Sequence, residues 1–201
     1  METSYEVMTL PDKVRVILIT DGDRCAQHVI EEIARELGLR CISASAGNPT
    51  PISGEEIVRL IKSVPYDPVL VMFDDRGKRS KGKGERAMEY VANHPDIEVL
   101  GAVAVASNTE GVTGVKTDVS ITDTGQMVNA AVDKNGTVTD SSTLTGDTVD
   151  ILNKLSVPLI VGIGDIGKMD HADDIRRGAP VTKRAILEIL RRSGVRHGGQ
   201  T

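Results

Sequence analysis

Val69-Leu70-Val71-Met72-Phe73 is a run of five apolar side chains that stops on Asp74-Asp75. Five residues are too few for a free-standing helix, so the run reads as a strand buried on both faces, with its carboxyl end delivering two carboxylates. The loop that follows carries five cations and no anion between Arg76 and Lys83, with glycines at 77 and 82. Gly84-Glu85 then open a helical stretch that Pro95 ends. Glycine-freed backbone, cationic side chains and a helix N-terminus together make an anion cradle, set beside an acidic pair able to hold a cation.

The rest of the chain repeats this strand-then-polar pattern. Residues 14–20 form a strand that stops at Asp21-Gly22-Asp23, and Ala26, Val29, Ile30, Ile33 and Leu37 then recur at helical spacing up to Gly38. A second strand spans 39–44. Ser53 with Glu56 is a capping box that launches Ile57, Leu60, Ile61 and Val64 along one helical face. A fourth strand, 98–106, ends at Ser107-Asn108-Thr109. From 112 to 144 short alternating segments and the hairpin dipeptide Asn135-Gly136 predict an antiparallel meander, inserted into the main sheet or lengthening its edge. Asp147 is placed to cap a helix carrying Ile151, Leu152 and Leu155. A fifth strand at 159–163 runs into Gly164-Asp165, an acidic loop (Asp170, His171, Asp173, Asp174) reads as exposed, and Thr182 reads as the cap of a last helix.

Strands alternating with helices at these spacings predict an open, mainly parallel five-stranded α/β sheet with helices on both faces, a flavodoxin-like or Toprim-like three-layer sandwich plus the meander. The expected organisation is a lead-in at 1–12, one α/β domain over 13–194 with its insertion at 112–144, and a disordered tail at 195–201. Ligands of such sheets bind beyond the carboxyl ends of the strands. The candidate metal site is therefore Asp21, Asp23, Asp74 and Asp75, and a divalent cation such as Mg²⁺ is the cofactor it would take. The candidate anion site is Lys78, Arg79, Lys81 and Lys83 with Ser107 and Asn108.

Composition narrows the function classes. One Phe, three Tyr and no Trp leave an aliphatic core and too few rings for stacking single-stranded nucleic acid, and a net charge of -5 gives no overall footprint for nucleic acid. Cys25 and Cys41 match neither a disulfide framework nor a zinc signature. No run approaches the ~18 apolar residues of a spanning helix, and the N-terminus lacks a basic start, so a soluble protein without a signal peptide is expected. The spacing GxxxxGK[ST] is missing from the basic loop. Gly162-Ile163-Gly164-Asp165-Ile166-Gly167 fits GxGxxG by letter but reads as a tight strand exit, because no helix follows directly. Asp21 and Asp23 straddle Gly22, an arrangement that serves a divalent ion, although capping of the next helix with Gly22 making the turn is the reading the residues favour.

The order of these segments resembles the stage V sporulation protein AE family, the soluble AEa form encoded with the spoVA membrane proteins of endospore formers. The resemblance rests on residues 16–24 (VILITDGDR), 41–50 (CISASAGNPT), the third strand with its basic loop, 94–109 (HPDIEVLGAVAVASNT), 146–150 (GDTVD) and 161–170 (VGIGDIGKMD). It implies a role in sporulation and germination beside the SpoVA dipicolinic acid channel, with peripheral attachment to the spore inner membrane through SpoVA-operon proteins. It carries no established catalytic residues and leaves room for a homo-oligomer. A second similarity, of Ile-Leu-Ile-Thr-Asp-Gly-Asp-Arg and Lys81-Gly82-Lys83-Gly84 to Toprim domains, implies metal- or phosphate-dependent chemistry at the acidic rim. A phospho-receiver layout is a third option: acids at 21 and 23, Asp74 or Asp75 as acceptor, Ser107 and Lys168.

Overall fold

The computed structural model describes residues 13–77 and 81–196. The expected lead-in, most of the tail, and Lys78 and Arg79 lie outside them. In chain order the elements are β1 (Val14–Ile19), α1 (Arg24–Leu37), β2 (Arg40–Cys41), α2 (Gly54–Ser63), β3 (Val69–Met72), α3 (Lys83–Asn93) and β4 (Ile97–Val105). There follow β5 (Val115–Lys116), β6 (Val119–Ile121), β7 (Met127–Val128), β8 (Thr143–Leu144), β9 (Ile160–Ile163) and α4 (Pro180–Ser193), with short 3-10 turns at Ser43–Ser45, Asp150–Lys154 and Ile175–Arg177.

Seven strands make one sheet in the order β2-β3-β1-β4-β9-β6-β7, all pairs parallel except β6 with β7. Relative to the flavodoxin order 2-1-3-4-5, the first and third strands are exchanged. The two strands beyond the five expected come from the 112–144 segment: β6 pairs with β9 and β7 with β6, so the meander lengthens the sheet's edge. β5 and β8 pair separately as a two-stranded ribbon.

Period-two alternation sorts the apolar side chains into two cores. Ile17, Ile19, Leu70, Met72, Val103 and Val161 face α1 and α4, while Val16, Leu18, Val71, Phe73, Ala102 and Ala104 face α2 and α3. Phe73, the single Phe of the chain, is fully buried.

Caps place the helices over these strands. Asp23 caps α1, accepting from the Ala26 N–H at 2.8 Å, and Gly38 closes that helix at φ 67°. Ser53 caps α2 through the Glu56 N–H at 3.2 Å, as its sequence predicts. Three local expectations are corrected. Asp147 caps no α-helix, since only a 3-10 turn follows and buries Ile151 and Leu152. α4 begins at Pro180, where a missing N–H is harmless, so Thr182 lies within its first turn. Asp173, expected in an exposed acidic loop, is fully buried. Its carboxylate accepts from the Val181 N–H at 2.9 Å, the Thr182 N–H at 3.0 Å, the Thr182 hydroxyl at 2.6 Å and the Gly167 N–H at 2.9 Å, capping α4 from a distance.

Candidate functional site

β1 lies between β3 and β4, and the chain leaves β1 toward β2 on one side and β4 toward β9 on the other. β1 and β4 thus flank a point where the winding reverses, the usual place for a ligand in an open α/β sheet. A pocket of about 330 Å³ opens there. The turn after β1 contributes Asp21 and Asp23, and the end of β3 contributes Asp74 and Arg76. Ser107 follows β4, Asp165 and Lys168 follow β9, and Asp147 comes from the segment after the meander. Two glycines permit this convergence. A Cβ on Gly22 would meet the Gly47 carbonyl at 3.1 Å and the Asp74 Cβ at 3.3 Å, and one on Gly146 would press to 2.3 Å from the Val105 carbonyl.

The carboxylates fall into two groups. One oxygen each from Asp21, Asp23 and Asp165 lie within 4.8 Å of one another, a spacing open to a single cation. The Lys168 ammonium lies 3.1 Å from Asp165 and 3.2 Å from Asp23. Burial works against the charge of Lys168, but the two carboxylates outweigh it and raise the lysine pKa. Asp21 accepts the Gly22 N–H at 2.7 Å. Burial, then the neighbouring Asp23 and Asp74, push its pKa up to about 8.

Asp74 and Asp147 form the second group. Asp74 is 6 % exposed and accepts the Arg76 N–H at 3.0 Å, while Thr50 holds its backbone, the Thr50 hydroxyl accepting the Asp74 N–H at 2.9 Å. Burial raises its pKa to about 7; the Arg76 N–H opposes the rise, and the facing Asp147 carboxyl reinforces it. Asp147 in turn accepts from the Gly77 N–H and donates its own N–H to the Ser107 hydroxyl at 2.8 Å. Five carboxylates therefore share a pocket with Lys168 and Arg76, and the surplus of negative charge favours protons or a cation.

Of the residues singled out in the sequence, Asp21, Asp23, Asp74 and Ser107 come together here. Asp75 turns away. Its two oxygens accept the Gly84 N–H at 2.7 Å and the Glu85 N–H at 2.9 Å, so it caps α3. Asn108 is exposed. Lys81 pairs with Glu89, and Lys83 lines a separate cavity of about 460 Å³ between α2 and α3, beside Arg86 and Tyr90. Asp147 was hidden by its reading as a cap. The tight Gly146-Asp147 pair after a hairpin region was its only local sign. Asp165 and Lys168 sit in the glycine-rich exit of β9, the strand exit that the GxGxxG letters mark.

A family model described as stage V sporulation protein AE1, SpoVAE, matches residues 15–193. The chain belongs to this family. The matched span runs from β1 into α4, so it contains every group of the pocket, and membership places the role of the chain in sporulation. None of the curated proteins and none of the solved structures compared with it matches significantly. Among the described residues of this SpoVAE member, no helix is long and apolar enough to cross a membrane.

Proposed function

We propose that this SpoVAE protein is a non-catalytic regulatory or scaffold subunit that acts in spore germination beside the SpoVA proteins and their dipicolinic acid channel, held at the spore inner membrane through those partners. The observation that carries this reading is the family match over residues 15–193. The absence of a membrane-crossing helix among the described residues agrees with attachment through partners. Deletion is expected to slow germination, and pull-down from spore membranes is expected to recover SpoVA-operon proteins. Normal germination together with no such partner overturns the proposal.

A second reading is favoured by the spacing of Asp21, Asp23 and Asp165: a Toprim-like metal- or phosphate-binding sensor or enzyme at the strand-end rim. Asp21 and Asp23 with Asp165 would hold a hard divalent cation such as Mg²⁺, which takes carboxylate oxygens. Asp75 serves instead as a cap, and the anion side would draw on Ser107 with Lys168 and Arg76, not on Lys81, Lys83 or Asn108. Thermal denaturation with and without Mg²⁺ or Mn²⁺ tests it. A cation at a hundred times its Kd should add roughly 2.7 kcal/mol, and a melting curve that ignores both metals argues against this second reading.

A further inference from the structure

We propose that Asp74 is a phosphoryl acceptor, its carboxylate taking a phosphoryl group from a small acyl phosphate within the pocket formed by the ends of β1, β3, β4 and β9. The proposal rests on the second reading above, that this pocket accommodates phosphate and a cation.

Sequence leaves Asp74 and Asp75 as equal candidates, and geometry separates them. Both oxygens of Asp75 are engaged by the first N–H groups of α3, and a Cβ on Gly82 would approach Asp75 Oδ1 to 2.1 Å, so that side chain is walled in. Asp74 lines the pocket. Its Oδ1 accepts from the Arg76 N–H, and its other oxygen receives no N–H among the described residues. The Asp147 carboxyl hydrogen-bonds the Asp74 side chain within the pocket, and the incoming phosphoryl group would take its place.

The surroundings supply what phosphoryl transfer to a carboxylate requires. Such transfer is mostly positioning and charge neutralisation around the three equatorial oxygens. Lys168 and Arg76 bring positive charge from the ends of β9 and β3. The Ser107 hydroxyl at the end of β4 lies 2.9 Å from the Thr109 hydroxyl and accepts the Asp147 N–H, and its own hydrogen can turn toward phosphate. Asp21, Asp23 and Asp165 are grouped closely enough to hold the cation that offsets the incoming charge. A pocket of about 330 Å³ admits a phosphoryl group with a small acyl leaving group.

The step balances without a proton. The Asp74 oxygen that is not bonded to the Arg76 N–H attacks phosphorus as the carboxylate and forms the new O–P bond, the P–O bond to the acyl group breaks, and the acyl carboxylate departs with the electron pair. The product is an aspartyl phosphate. It would displace the Asp147 carboxyl from Asp74, while Oδ1, now the acyl carbonyl oxygen, keeps the Arg76 N–H.

The test incubates the full chain with acetyl phosphate and MgCl₂ and follows intact mass. Expected is the gain of one phosphoryl group, mapped by peptide digestion to Asp74, removed by hydroxylamine as an acyl phosphate is and a serine ester is not. It should be absent in Asp74→Asn and form on the order of a hundredfold more slowly in Lys168→Met. Mapping on the unaltered chain does not depend on whether either variant folds. No mass gain, a hydroxylamine-resistant adduct, or a phosphoryl group on another residue overturns the proposal. Stabilisation by Mg²⁺ without transfer also overturns it, while leaving the cation reading in place.

Discussion

Asp21 and Asp74 keep their protons far above the ordinary carboxylic range, near pH 8 and pH 7. The unfolded chain releases the same protons near its ordinary value of 3.8. Between those limits the folded chain binds more protons than the unfolded one. The stability these two groups contribute is therefore complete below about pH 4 and lost as pH climbs through 7 to 8. Denaturation with urea at about pH 5 and about pH 9 should show the decline, and Asp21→Asn should flatten it by removing one of the two titrations. Asp173 is the opposite kind of acid. It is buried in full but satisfied by four donors, so Asp173→Ala strands them and should cost about 3 kcal/mol or more, read as a lowered denaturation midpoint. The role of Asp173 was not legible from the residues alone: it stands in an acidic run that looks solvated, and its partners in α4 lie eight and nine positions downstream. Asp21, Asp23 and Asp74 were legible as polar strand ends, because they stand where an apolar strand closes or beside its glycine turn.

At the level of elements, the start of α3 is held by close approach more than by local capping. Gly82, at its N-cap, has no side chain to offer, and Asp75 reaches back from the end of β3 to do that work. A Cβ on Gly84 would stand 2.5 Å from the Asp74 carbonyl oxygen. Gly84→Ala should thus push α3 off the β3 terminus and cost about 1–3 kcal/mol, with the pocket displaced along with it. Thermal melting combined with the metal titration measures both effects. The apolar runs announced β1, β3, β4 and β9 within a residue or two, since strands buried on both faces need unbroken hydrophobicity. Ile151, Leu152 and Leu155 predict a full helix where only a 3-10 turn forms at Asp150–Lys154, because their spacing suits either period and only packing decides how many turns form.

For the whole molecule, the deciding fact is the neighbourhood of β1. Its registers with β3 and β4 bring the ends of these strands level, so acids 53 positions apart in the chain, Asp21 and Asp74, face one cavity. Strand composition predicted the layers but not this order, because fully apolar strands carry no mark of their lateral partners. The basic loop illustrates the converse: Lys81 and Lys83 are close to the acids in sequence, yet the path into α3 pairs Lys81 with Glu89 and sets Lys83 in the cavity between α2 and α3. The two outermost strands, β2 and β7, have only two residues each. An intruding chain would find almost no open ladder on which to zip, so crowding at high protein concentration should leave this sheet unextended.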